Sequence, residues 1–286
     1  MTRVLVHLHL YYQEMWPELK NRLKNITDDF DLFVSMIHPG EQIEKDILNF
    51  KPGAIIKIVE NKGFDIASFL SVINSVDLDQ YDYVIKLHTK RNLPLGTIRN
   101  GYDVSGDKWR RYLLSFLQTP ETYNKSKSAF EKDEKLGMIG DFRLICKKDK
   151  SNKDAVTGAM NLLENMGFEK RQFAYVMGTM FMVRANLLPP LQKININADQ
   201  FNQSKHKSDD VLPYAYERVF GYLITAQGYV LKDVLSSFPR QLACRISSLI
   251  RHFIWRRKIT SNGTIIVKFC KIPVFRKKLQ EAGDVK

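Results

Sequence analysis

The chain has 286 residues, 44% hydrophobic and 26% charged, with ten prolines, fifteen glycines and a net charge of +13. This composition excludes disorder, collagen and low-complexity structure, and the length allows one large domain or two small ones whose core needs no staples. Three widely spaced cysteines, Cys146, Cys244 and Cys270, exclude a disulfide scaffold and lack the spacing of a zinc module, so a reducing compartment is the default.

Residues 1–16, MTRVLVHLHLYYQEMW, are too short and too polar for a signal peptide, and no run reaches the ~20 apolar residues of a membrane span. A cytoplasmic protein is expected, free or attached to the inner face of the cell membrane. From Arg240 to Lys286 there are twelve basic and two acidic residues, whereas residues 1–239 hold 32 basic and 29 acidic ones. The basicity therefore belongs to the tail, while a nucleic-acid enzyme more often carries it along the folded body.

In chain order, residues 3–11 alternate as a strand, and a helical pattern runs from Glu14 to Ile26, with Pro17 tolerable in its first turn. Strands are expected at 30–37, 54–60 and 81–87, with helices at 41–50 and 65–76 between them. Alternating strands and helices imply a mostly parallel sheet with flanking helices, an α/β fold. Residues 93–107, rich in Gly, Asn and Asp, read as a long loop of the kind that often forms a substrate lid. Helices follow at 108–117 and 123–132, a strand at 136–140, a charged loop at 147–154, a helix at 155–166, a strand at 175–183 and a long helix at 209–227. In the tail, Leu242, Ala243, Ile246, Leu249, Ile250, Phe253 and Ile254 recur at helical spacing between arginines. That pattern suits an anionic membrane surface, or a helix packed on the protein's own core with a solvated basic face. The expected division is a domain over 1–235 and a basic amphipathic helical tail over 236–286.

Ligands of such sheets bind at the carboxyl ends of the strands. Tyr11, ending HLHLYY, can stack on a nucleobase or belong to the core. In NKGFDI, Gly63 permits a tight turn and Asp65 either caps the following helix or accepts hydrogen bonds from a ligand. KLHTKR brings Lys86, His88, Thr89, Lys90 and Arg91 to one strand end, three cations with a hydroxyl and an imidazole, which suits a diphosphate; the plain alternative is a solvated basic loop. Ser208, Asp209 and Asp210 open the late helix that continues through Glu217 and Arg218. A carboxylate there stays ionised and suits either a general base or an N-cap, and Glu217 with Arg218 suits an ion pair.

HLHLYY, NKGFDI, YDYVIKLHTKR, WRRYLL, MGTMFMVR and SDDVLPYAYERVFGYL, in this order over residues 3–230, resemble the rhamnan synthesis protein F family of bacterial polysaccharide glycosyltransferases. The resemblance implies transfer of a sugar, often L-rhamnose from dTDP-rhamnose, to a lipid-linked surface glycan, alongside other polysaccharide-assembly enzymes. A wider similarity to inverting GT-A glycosyltransferases implies donor-binding roles for Asn61, Gly63 and Asp65 and a base role for Asp209 or Asp210, with Glu217 a further catalytic candidate. On the acceptor or sugar side it leaves Trp109, Arg110, Gly178, Thr179 and Arg218. Two departures stand out: Phe64 replaces a usual arginine, and His-Thr-Lys replaces the Asp-x-Asp that binds Mn²⁺ or Mg²⁺. No metal cofactor is therefore expected, Lys86, Lys90 and Arg91 serving instead. The rival readings are a nucleic-acid-binding protein and a non-catalytic nucleotide-binding subunit.

Overall fold

The computed structural model describes residues 2–147, 149, 152–194, 200–201, 211–259, 264–269 and 272–278. They divide into two compact units: residues 1–91 with 110–235, and residues 92–109 with 236–286.

The larger unit begins with β1 (Arg3–His9), α1 (Trp16–Leu23), β2 (Asp29–Met36), α2 (Glu41–Phe50), β3 (Ile55–Ile58), α3 (Phe64–Ser75) and β4 (Tyr83–His88). The alternation predicted for this half is the alternation observed. A two-residue hairpin in the smaller unit, β5 (Ile98–Arg99) and β6 (Tyr102–Asp103), precedes α4 (Lys108–Leu113), which crosses the boundary between the units. The larger unit continues with α5 (Pro120–Lys132), β7 (Leu136–Ile139), β8 (Ile145–Cys146), α6 (Lys153–Asn165), β9 (Tyr175–Val176), β10 (Phe181–Arg184), α7 (Pro189–Gln192), α8 (Val211–Ala226) and β11 (Val230–Lys232).

Seven strands form one sheet in the order β11-β7-β10-β4-β1-β2-β3. All its pairs are parallel except the two made by β10, which lies antiparallel between β4 and β7. This is the expected mostly parallel α/β architecture. β1 and β4 lie at its centre and are buried from Val4 to His9 and from Tyr83 to His88. The strand order carries β1 to β2 to β3 in one direction, and β4 then returns to the far side of β1. That reversal puts α3 on the opposite face from α1 and α2 and opens a crevice at the carboxyl ends of β1 and β4.

The amino-acid pattern explains the faces. Ile66, Phe69, Leu70 and Ile73 of α3 recur at helical spacing and are buried. Phe69 meets Phe181 and Phe220 edge-on, at 6.1 and 5.3 Å between ring centres, joining α3, β10 and α8 in one apolar layer. On the other face, Tyr83 stacks on Phe130 of α5 at 4.9 Å. Gly63, at φ +62°, lies directly under the Phe201 ring, where a methyl group would come within 2.6 Å of it. Both the backbone angle and the close approach require glycine at that turn.

Two expectations are corrected here. The strand read over 175–183 is broken into β9 and β10, because Gly178 and Thr179 take left-handed angles of +82° and +52° that no strand tolerates. The tail is helical only as far as Ile254: α9 (Phe238–Ile254) is followed by β12 (Trp255–Ile259), β13 (Thr264–Phe269) and β14 (Ile272–Lys278), an antiparallel three-stranded sheet. In the smaller unit, Asn100 and Gly101 both take positive φ and close the β5–β6 hairpin within the segment expected to be loop, and the Ser248 hydroxyl of α9 donates to the Gly101 carbonyl. No helix among the described residues is long and apolar enough to cross a membrane.

Candidate functional site

Parallel register sets the site. Across the sheet His7 is level with Lys86 and Phe33, and His9 with His88 and Ser35. Side chains two apart on a strand share a face, so His7, His9, Lys86 and His88 form two polar rows beneath α3 and α8. The Ser35 hydroxyl lies 3.0 Å from His7 Nε2 and 2.9 Å from His9 Nδ1, and the Ser68 hydroxyl of α3 lies 3.3 Å from His9 Nδ1. His7 Nδ1 has no partner among the described residues. Burial lowers all three rings: it pushes His9 down to about 4 and lowers His7 and His88 as well, helped at His7 by the Lys86 charge.

Lys86 is wholly buried and ion-pairs with Asp65. Its ammonium also donates to the Thr179 carbonyl (3.2 Å) and hydroxyl (3.1 Å), and that hydroxyl donates to Asp65 at 2.6 Å. The Phe69 and Phe220 rings lie 5.4 and 5.9 Å from the ammonium. Burial works against the charge on both partners. For Asp65, His88 and Lys86 overcome it, with hydrogen bonds from Lys86 and Thr179, and hold the carboxyl far below its usual range; Lys86 is lowered by burial despite Asp65. Asp65 does not cap α3, whose N-cap Gly63 receives no side-chain bond.

Because β10 runs antiparallel to β4, the chain enters it from the edge at which β1 and β4 end. The left-handed corner at Gly178 and Thr179 is thereby delivered to the crevice. His88 Nε2 lies 2.8 Å from the Gly178 carbonyl, and the Gly178 N–H donates to Glu217 Oε1 at 2.6 Å. The backbone N–H and carbonyl of Gly178 are thus both engaged. Glu217 keeps 20% of its side chain exposed, its other oxygen 3.7 Å from Arg218. Burial raises its carboxyl above the ordinary value, against the Gly178 hydrogen bond and the Arg218 charge.

The crevice therefore gathers Asp65, Lys86, His88, Lys90, Gly178, Thr179 and Glu217. Lys90 is half-buried, close enough for its charge to act on His88 and Glu217, and makes no ion pair among the described residues. Thr89 accepts a hydrogen bond from the Tyr12 N–H at 3.0 Å. Tyr11 and Asn61 are exposed at the rim, Tyr11 edge-on to Tyr12 at 4.7 Å.

Other predicted residues are engaged elsewhere. Arg91 points to the surface, pairing with Glu14 at 2.5 Å and lying 4.0 Å over the Tyr12 ring. Arg110 pairs with Glu18 at 2.8 Å and donates to the Lys90 carbonyl at 3.0 Å. Arg218 is buried, paired with Asp149 and bonded to the Tyr214 carbonyl at 2.6 Å. Trp109, buried, belongs to the smaller unit. Ser208, Asp209 and Asp210 lie outside the described residues. His7, His9, Ser35 and Ser68 were not anticipated as part of the site, although polar residues two apart on each of two central strands were their visible signal.

The end of β4 supplies ammonium groups, a hydroxyl and imidazole, the nearby carboxylate of Asp65 is taken by Lys86, and among the described residues no three His, Cys, Asp or Glu are grouped to hold an ion.

The profile of rhamnan synthesis protein F matches residues 1–229. The uncharacterized protein WxcX of Xanthomonas campestris pv. campestris (strain B100) is 25% identical over 233 residues, covering 80% of this chain and 32% of that protein. The chain thus spans about a third of the length of the curated relatives it matches. Among solved structures, S. aureus TarS is 11% identical, with a TM-score of 0.40 over 76% of this chain and 56% of that one. TarS in complex with UDP-GlcNAc is 12% identical, with a TM-score of 0.39 over 77% and 53%.

Removing one member of the buried ion pair strands the other. Lys86→Met and Asp65→Leu are each expected to destabilise the fold by about 3–5 kcal/mol, and the double variant by less than their sum. Urea unfolding of the three variants measures this; additive losses would mean that the pair is not coupled.

Proposed function

The chain belongs to the rhamnan synthesis protein F family, and from that premise we propose that it is a GT-A-like glycosyltransferase acting on a nucleoside-diphosphate sugar. L-rhamnose is the first donor sugar to test, and a lipid-linked surface polysaccharide the acceptor. The observation that carries the reading is Glu217: a partly exposed carboxylate, raised by burial, at the carboxyl edge of the sheet near Lys90, a cation without an ion pair among the described residues. A base and a cation a short distance apart are what direct displacement requires.

In the proposed reaction an acceptor hydroxyl attacks the anomeric carbon. The new carbon–oxygen bond forms as the bond to the diphosphate breaks, and its electron pair leaves on the nucleoside diphosphate. Glu217 takes the hydroxyl proton. Its raised pKa strengthens it as a base, and the Gly178 N–H fixes its orientation without consuming its second oxygen. Lys90 neutralises the departing diphosphate, doing electrostatically what a metal ion does in other sites. Lys86 acts indirectly: with its charge matched by Asp65, it supports the Thr179 corner that faces the sugar. Asp209 and Asp210, which precede α8 in the sequence, are the alternative bases.

The smaller unit supplies a surface for the lipid end of an acceptor. Phe238, Leu242 and Ile246 recur every four residues along α9 and are 73%, 46% and 48% exposed, with Arg240 and Arg245 exposed beside them. Ile272, Val274 and Phe275 of β14 are also exposed. Apolar side chains that enter a headgroup layer, together with arginines that meet anionic lipid, favour peripheral attachment at the inner face of the cell membrane.

Three outcomes are expected. Glu217→Gln lowers turnover by about 10²-fold or more, and wild-type kcat/KM rises with pH through an acid limb above the ordinary glutamate range; near-normal turnover in this variant would move the base to Asp209 or Asp210, each read by its Asn variant. Transfer is undiminished in EDTA, whereas loss in EDTA with rescue by Mn²⁺ would refute the role given to Lys90. The full-length Leu242→Glu/Ile246→Glu variant loses cosedimentation with phosphatidylglycerol-containing vesicles, and retention equal to wild type would count against membrane attachment.

A further inference from the structure

We propose that Phe64 and Tyr214 form an aromatic platform that receives the apolar C–H face of a pyranose ring next to Glu217. The class of ligand rests on the sugar-transfer reading above; the platform itself rests on the following geometry.

Phe64 is the first residue of α3 and is 40% exposed. Its backbone sits at φ +52°, a left-handed angle that is unfavourable for a bulky side chain. Such strain persists where the surroundings enforce it, most often at binding sites. Here the enforcing neighbours are visible. Gly63 is pinned beneath Phe201, and Asp65 is anchored by Lys86 and Thr179. With residues 63 and 65 fixed on either side, Phe64 is held out of the core rather than turned into it.

The exposed ring is not isolated. Tyr214 of α8 lies 6.1 Å away at 60°, forming an angled wall against it. Tyr214 precedes Glu217 by three residues on that helix, so the two side chains project from one face. Asp65 acts electrostatically on Glu217, which places the start of α3 near the carboxylate as well. Two rings meeting at an angle, a carboxylate one helical turn away and the Lys90 cation beyond it combine an apolar surface with polar groups. A pyranose has the same division: an axial C–H face that lies on an aromatic ring, and hydroxyls around its edge that seek a carboxylate.

The pyranose belongs to the donor or to the acceptor, and binding separates these sources. Phe64→Gly is the informative variant, because glycine adopts φ near +50° without strain; its thermal midpoint is expected to equal or exceed that of wild type, so lost affinity cannot be ascribed to misfolding. Titrations by calorimetry compare wild type, Phe64→Gly and Phe64→Tyr with dTDP, dTDP-L-rhamnose, UDP, UDP-glucose and the methyl glycosides of rhamnose and glucose. Phe64→Gly is expected to weaken pyranose binding about tenfold while binding of the free nucleoside diphosphates is unchanged, and Phe64→Tyr to restore it. A loss confined to the nucleotide sugars assigns the platform to the donor; a loss confined to the methyl glycosides assigns it to the acceptor. Equal weakening for nucleoside diphosphates with and without the sugar, unchanged pyranose affinity in Phe64→Gly, or no pyranose binding by wild type would each overturn the proposal. Pyranose binding that depends on Phe64 without any transfer would leave the platform standing and remove the enzymatic reading, whereas transfer with an unaltered KM in Phe64→Gly would do the reverse.

Discussion

The ammonium of Lys86 has no contact with water, and a charge so placed is tolerable only with a partner and a full set of hydrogen bonds. Asp65 supplies the opposite charge, Thr179 supplies two acceptor oxygens, and Phe69 and Phe220 present their rings to what remains. Satisfying that one group ties together four elements distant in sequence: β4, the start of α3, the corner before β10, and α8. The cost of exposing either charge to an apolar interior makes this arrangement resistant to small displacement. It is a means of fixing positions more than of adding stability, since buried ion pairs often contribute little net free energy.

What is fixed in this way is the edge of the crevice. Thr179 cannot leave its left-handed conformation without abandoning Lys86 and Asp65, and the adjoining Gly178 is held by His88 at its carbonyl and by Glu217 at its N–H. Glu217 is therefore oriented by a backbone N–H that is itself immobilised by the ion pair. On the other flank the same pair holds Asp65, and with it the strained angle at Phe64. A carboxylate, a cation and two aromatic rings thus share a common support, although none of them belongs to it. The histidine rows beneath extend the support into β1 and, through Ser35, into β2, and Ser68 ties His9 back to α3.

The fold was legible wherever a single period dominates. The strands and helices from residue 3 to residue 88 follow the alternation in the sequence because each buries one apolar face, and the parallel sheet follows from their order. KLHTKR was recognisable as a strand end, and it lies at the crevice. Its division of labour was not recognisable: identical lysines four residues apart differ completely, Lys86 facing inward to Asp65 and Lys90 making no ion pair among the described residues. Period-2 alternation puts Lys86 and Lys90 on the same side of an extended chain, so only the end of β4 after His88 separates their fates. The hairpin turn at Asn100 and Gly101 was readable from its dipeptide but was concealed by a polar stretch that resembles a loop. The strands after α9 were hidden by the basic residues that made the whole tail resemble one amphipathic helix.

By itself, then, the sequence determined the class of fold, the identity of the strand ends that carry polar chemistry, and the separation of the basic tail from an almost neutral body, because each is a property of neighbouring residues and their spacing. Tertiary structure alone decided which charges cancel and which remain available. Asp65 and Lys86 are 21 residues apart and Thr179 lies a further 93 beyond, and no local pattern encodes their meeting. It arises from the antiparallel placement of β10 between two parallel strands, which brings a left-handed corner to the one point in the sheet where a buried ammonium requires oxygen atoms.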